Sequence, residues 1–219
     1  SMGTIKLDHY VLILRGDNLL EFIDGISTNK VDGSCTTVFT DKNAKIIDMV
    51  DVIEKEDFVA LVGHNLYKDS VIFHISSRIL DANIQIFDIT NSNNVFLTTN
   101  KSLTVENATI HESIIGRIII TPKDSEILED MAYDEFSEYR VENLIPYQGH
   151  EIVQNLHPLA CGLGELVHEA KGCYVGQEIL ARMRSRGKQG KELVRLENPV
   201  EDATTVGKTH SLRIQRIQN

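Results

Sequence analysis

The stretch KGCYVGQEILARMR, Lys171 to Arg184, constrains this chain more than any other. Gly172 and Gly176 bracket a cysteine, and an apolar-periodic run follows, which is the pattern of a tight turn feeding a helix that starts at Gly176. Cys173 stands two residues from the Lys171 ammonium and just before unpaired helix N–H groups, where a thiolate is favoured. Cys173 is therefore a candidate reactive thiol, with Lys171 as the cation that lowers its pKa. The same residues also read as a plain turn around a small buried cysteine, the usual fate of an unpaired thiol.

Charge sharpens this picture when it is mapped along the chain. The total is −10, yet residues 171–191 set six cations against one carboxylate, Glu178, so this stretch carries +5 and the remainder −15. A basic island on an acidic body suits a small anionic ligand, because the remainder repels nucleic acid. A solvated basic loop is the alternative. With 219 residues and 42% hydrophobic content, the chain can bury a core as one large domain or two small ones. No apolar run approaches the ~20 residues of a membrane span. The first ten residues lack a basic segment followed by an apolar one, so a cytoplasmic location is expected. Cys35, Cys161 and Cys173 are too few and too scattered for a disulfide framework.

Helix and strand signals alternate in blocks. Asp17 is the expected N-cap of a short helix through Leu19, Phe22 and Ile23, ended by Gly25. Runs at 45–53 and 58–62, split by Glu54-Lys55-Glu56-Asp57, predict a hairpin. Asn65 is the expected cap of a helix carrying Val71, Ile72, Ile75 and Ile79. Strands are predicted at 84–89 and 95–99, and one over 113–121 interrupted by Gly116 and ended by Pro122. Asp124 or Ser125 should cap a helix through Met131, with another near 134–141. Strand runs separated by helices indicate an α+β protein. The nearest thing to a domain break is the Asn/Thr/Ser-rich span between 91 and 112.

Several apparent motifs fail. Gly207-Lys208-Thr209 lacks the earlier glycine of a phosphate loop, since Asp202 stands there. GLGELV from Gly162 lacks the third glycine of a dinucleotide fingerprint and a preceding strand. His111-Glu112, His150-Glu151 and His168-Glu169 each lack the second histidine of a zinc helix, and His157, Cys161, His168 and Cys173 match no common ligand spacing. No metal site is expected.

KGCYVGQE resembles the Lys-Gly-Cys-Tyr/Phe-x-Gly-Gln-Glu signature of the YgfZ-type folate-binding proteins, relatives of the glycine cleavage T-protein, an aminomethyltransferase. RGDNLLEFIDGISTNKV (Arg15 to Val31) is similar to the family's N-terminal block, and ALVGHNLYKD (Ala60 to Asp69) to its Val-x-Asn-Ala-x-x-x-Lys-Asp segment. YRVENLIPYQGHEI (Tyr139 to Ile152) is similar to Arg-x-Glu-x-Gly-x-Pro-x-x-Gly-x-Glu. The resemblance implies intertwined subdomains around a central folate site over residues 1–190. It also implies a C-terminal β-barrel, which residues 191–219 are too short to complete, leaving a minimal lobe. It implies tetrahydrofolate as cofactor, with Asn65, Glu142, Tyr174, Gln177, Glu178 and Arg182 as candidate binding residues.

A pterin presents paired N–H donors that one carboxylate accepts in parallel, a role the resemblance gives to Glu142. A salt bridge to Arg140 or plain solvation is the alternative for that acid. Lys171, Cys173 and Asp48 are the candidate catalytic residues. In the T-protein, tetrahydrofolate takes an aminomethyl group from a lipoyl carrier protein beside an aspartate in a Gly-Gly-x-Ile-Asp-Asp block. The matching NAKIIDMV keeps Asp48 but has Met49 at the second acidic place. Two functions follow. One is a tetrahydrofolate-binding protein that supports iron–sulfur proteins through Cys173. The other is an aminomethyltransferase of one-carbon metabolism.

Overall fold

A computed structural model describes residues 3–218. Ser1, Met2 and Asn219, which the expected spans 1–190 and 191–219 and the N-terminal reading include, lie outside the described residues. In chain order the elements are β1 (Thr4–Leu7), β2 (His9–Gly16), α1 (Leu19–Gly25), β3 (Cys35–Thr40), β4 (Ile46–Glu54), β5 (Val59–His64) and α2 (Lys68–Ser76). They continue with β6 (Ile84–Asp88), β7 (Asn93–Thr98), β8 (Thr109–Ser113), β9 (Gly116–Pro122), α3 (Tyr133–Asn143), α4 (Gln177–Ser185), β10 (Lys191–Glu197), β11 (Thr205–Val206) and β12 (His210–Arg216).

The centre is a five-stranded antiparallel sheet of order β3-β4-β5-β2-β6. Side chains on a strand alternate between faces, and here both faces are apolar. On β2, Val11 and Ile13 join a cluster with Leu97, Ile118 and Ile120 of a second sheet, while Tyr10, Leu12 and Leu14 join Ile23 of α1 and Val71 and Ile75 of α2. A sheet covered on both faces needs near-continuous apolar strands, which is why the hairpin of β4 and β5 was readable in the sequence. The second sheet, β1-β7-β9-β8, returns the N-terminal strand to pair with β7. The span 91–112 therefore feeds a sheet that begins at residue 4, and the chain crosses between sheets as intertwined subdomains require. The last three strands form a sheet of order β10-β12-β11 that packs Leu193 and Leu212 on Val141 of α3.

Four local expectations need correction. The residue at the N-cap of α1 is Asn18, left-handed at φ 54°, while Asp17 turns to Asn83, accepting from its Nδ2 at 3.0 Å. Ahead of α2, His64 rather than Asn65 is the capping side chain: its Nδ1 accepts from the Leu66 N–H at 3.1 Å, and Asn65 donates to Asp8 at 2.8 Å. The run 113–121 is not one strand. Ile114 and Ile115 form the turn of the β8–β9 hairpin, and Gly116 starts β9 at φ 134°, where a side chain would meet the Tyr139 hydroxyl. No helix forms between Asp124 and Met131. Tertiary bonding wins there, because β1 is a sheet edge whose N–H groups need partners: Asp130 Oδ1 accepts from Thr4 and Glu129 Oε1 from Lys6.

One ion pair joins the parts. Arg140 on α3 and Glu151 are fully buried, 2.9 Å apart, and Thr205 of β11 bridges them, accepting from Arg140 Nη2 at 3.0 Å and donating to Glu151 Oε2 at 2.6 Å. Glu151 Oε1 also accepts from the Tyr147 N–H at 3.0 Å. Removing one partner strands a buried charge, so Glu151→Ala should cost about 3–5 kcal/mol in urea unfolding. A loss under about 1 kcal/mol would show that the pair does not hold these parts together.

Candidate functional site

Where the three sheets approach one another, the fold leaves a cavity of about 510 Å³. Met49 reaches it from β4, Ile114 and Ile115 from the β8–β9 turn, Leu144 to Pro146 from the end of α3, and Leu193 from β10. Residues 162–165 close another side, and there the glycine is required. Gly162 has φ 84°, and a Cβ would lie 2.8 Å from Leu193. The lining mixes apolar side chains with polar ones at Asn143, Glu165, Gln189 and Glu192, and no lysine or arginine is among the lining residues. This is the size of a small-molecule pocket. One lining residue carries strain: Leu144 ends α3 in the left-handed region, φ 53° and ψ 48°, a conformation that costs an L-residue with a side chain roughly 1–2 kcal/mol.

Asp48 and Met49 are neighbours on β4 and therefore face opposite ways. Met49 lines the cavity. Asp48 is fully buried elsewhere, accepting from Tyr10 Oη at 2.8 Å, Gln148 Nε2 at 3.0 Å and the His64 N–H at 3.2 Å. Burial pushes its carboxyl up to about 7, against the pull of those hydrogen bonds. Two more buried groups are kept neutral. His9, whose Nε2 meets Tyr147 Oη at 2.8 Å, is lowered to about 3 by burial and then by His64. Burial likewise lowers His74, tilted against Phe39 with ring centroids 5.3 Å apart, to about 4.

The Lys171–Glu178 stretch forms the predicted turn into α4, with Gly176 left-handed at φ 84° because a side chain would strike Thr40 and Asp41. Cys173 is exposed. Lys171 does not present its cation outward as expected: its side chain is 1% exposed, and Nζ donates to the carbonyls of Asp24, Ser27 and Asn29. Burial raises the Cys35 thiol to about 11, with the Lys171 cation among the groups that pull it back down. Tyr174 and Gln177 line a separate 240 Å³ pocket with Val167 and Arg184. Glu178 and Arg182 are exposed on α4. The basic island is thus partly structural, since Arg184 also turns inward, donating to the Val167 and Gly164 carbonyls at 2.7 and 2.8 Å.

Glu142 is exposed on the last turn of α3, next to the lining residues Asn143 and Leu144, and its carbonyl accepts from Arg195 at 2.9 Å. The salt bridge to Arg140 does not form, because Arg140 pairs with Glu151. The fold therefore does not bring the nine sequence-predicted residues into one pocket. Sequence reasoning missed the 162–165 wall and Glu192. The signal was the GLGELV run, which failed as a nucleotide motif but supplies the left-handed Gly162. Among the described residues, no group of three His, Cys, Asp or Glu side chains is placed to hold a metal, and no helix is long and apolar enough to cross a membrane.

No family model matches the chain, and no curated protein matches it. Among solved structures, the crystal structure of glycine cleavage system aminomethyltransferase T from Bartonella henselae aligns with 98% of this chain and 78% of its own, at a TM-score of 0.78 and 12% identity. The chain has the fold of aminomethyltransferase T. That meets the expectation of an α+β protein of this architecture, and at 12% identity the likeness speaks for fold alone.

The buried titratable groups give a pH signature. Asp48 binds its proton more tightly folded than unfolded, so its contribution to stability is present at low pH and is lost as pH rises from about 4 to about 7. His9 and His74 act oppositely, losing stability as pH falls below about 6.5. A difference curve separates them. The stability of Asp48→Asn relative to wild type should climb by on the order of 4 kcal/mol between pH 4 and 7, read from denaturant midpoints. Parallel curves would mean that Asp48 is ionised throughout.

Proposed function

We propose that this chain is a tetrahydrofolate-binding protein of the YgfZ type, supporting iron–sulfur cluster assembly or repair through the Cys173 thiol. The observation that carries the choice against group transfer is Met49. The β4 side chain facing the cavity is an uncharged thioether, which neither orients nor deprotonates a reacting nitrogen, while the neighbouring carboxyl of Asp48 is turned away and held by three donors. Support for a folate-sized ligand comes from the cavity's volume and the apolar side chains among its lining residues. Support for a working thiol comes from the exposure of Cys173, in contrast to buried Cys161 and half-buried Cys35.

Aminomethyl transfer from a lipoyl carrier protein is the second reading, favoured by the fold it shares with aminomethyltransferase T. In it, Asp48 would need to reach the cavity from the far face of β4.

Calorimetric titration with tetrahydrofolate under anaerobic reducing conditions separates these readings from neither. Saturable binding is expected, weakened about tenfold or more by Leu163→Trp, which adds bulk at the cavity wall, and by Glu142→Ala. Cys173→Ala should keep the affinity and lose the support of iron–sulfur enzymes. Absence of binding removes the folate; ammonia release in the presence of an aminomethyl-loaded lipoyl protein would restore the transferase reading.

A further inference from the structure

Lys171 is built into the fold in a way that its place beside a cysteine does not foretell. An ammonium has three donors, and all three are spent: Nζ lies 2.6 Å from the Asp24 carbonyl, 2.6 Å from that of Asn29 and 3.0 Å from that of Ser27. The Asp24 carboxylate at 3.1 Å balances its charge, and the Tyr174 ring covers it at 4.8 Å. Asp24 lies in the last turn of α1, where helix carbonyls have no internal partners, so the buried cation caps that helix as well. The other end of the turn is fixed independently. The Val175 N–H donates to the Gly25 carbonyl at 3.3 Å, and the Val175 carbonyl accepts from Thr40 Oγ1 at 3.2 Å. Between these two anchors the backbone passes through Gly172 and the exposed Cys173, with Gln177 Nε2 reaching back to the Lys171 and Gly172 carbonyls.

We propose that Lys171 is a positioning residue: caged at the C-terminal end of α1, it pins one end of the 171–176 turn and so holds Cys173 at the apex, rather than donating to that thiol. The proposal rests on the reading of Cys173 as the working thiol only for its biological meaning. With no donor left over, the ammonium has none to give a thiolate at the apex. Its removal takes the shared donor from three partly buried carbonyls, which is relieved by releasing the turn.

The test is alkylation of Cys173 by iodoacetamide, followed by peptide mass spectrometry across pH 6–10, together with amide exchange over residues 172–176. Lys171→Met should leave the midpoint of the pH–rate profile unchanged, alter the limiting high-pH rate about threefold or more, and speed amide exchange about tenfold. Lys171→Arg keeps the charge but cannot fit a flat guanidinium into a cage of three carbonyls, and should behave as Lys171→Met does. Asp24→Asn, which leaves the three carbonyls in place, should give a smaller change in the same direction and decides the matter if Lys171→Met does not fold. A midpoint shift that Lys171→Arg restores would make Lys171 a charge partner of the thiol. Wild-type exchange and limiting rate in all three variants would remove the positioning role. Loss of iron–sulfur support in Cys173→Ala bears on the function alone and leaves these readouts independent.

Discussion

The buried pair of Arg140 and Glu151 ties the turn after α3 to the C-terminal sheet. An isolated ion pair in a protein interior is expensive, because desolvation offsets most of the attraction, so its members must be satisfied by further hydrogen bonds. Here those bonds reach in three directions. Arg140 Nη1 donates to the Ile145 carbonyl, Glu151 accepts from the Tyr147 N–H, and Thr205 closes the ring from the C-terminal sheet. The turn so fixed carries Tyr147 to His9 and Gln148 to Asp48, tying helix α3 to the five-stranded sheet. The guanidinium also lies over the rings of Phe136 and Tyr147, at 5.6 and 5.3 Å. Packing, pairing and the buried carboxyl of Asp48 therefore form one connected system.

The two chemical centres of this chain are distinct. The cavity mixes apolar side chains with acidic ones, Glu165 and Glu192, and no lysine or arginine is among its lining residues. The Cys173 turn sits on α1 and opens into α4, and its neighbours Tyr174 and Gln177 line another pocket. Arg184 is the residue that links them in the fold, bonding residues 164 and 167 from α4. What holds the thiol turn also helps to shape the cavity wall.

Strands and helices that bury apolar faces were legible in the sequence because their periodicity is a direct record of burial. The β4–β5 hairpin, α1 and α4 appear within a residue or two of where Val50, Ile23 and Leu180 place them. The failures share a cause. Asp124 to Met131 has a helix-start pattern, but the N–H groups of Thr4 and Lys6, more than a hundred residues away, recruit its carboxylates. Lys171 reads as a cation near a thiol because sequence shows what is adjacent along the chain and not which carbonyls fold back around it. Asp48 reads as an available acid for the same reason. Its neighbour Met49 faces the cavity, and only the alternation of β4 set against the placement of the other sheets decides which of the two does.

Leu144 gives the cavity an uneasy wall. Its backbone is held left-handed by the turn after α3, with the Ile145 N–H returning to the Arg140 carbonyl at 2.9 Å, and its side chain stays 45% exposed while lining the space. Neither its backbone preference nor the burial of its apolar surface accounts for a leucine there. A lineage of this protein selected for heat resistance alone would discard that leucine early. The shape of the cavity would drift before the fold did.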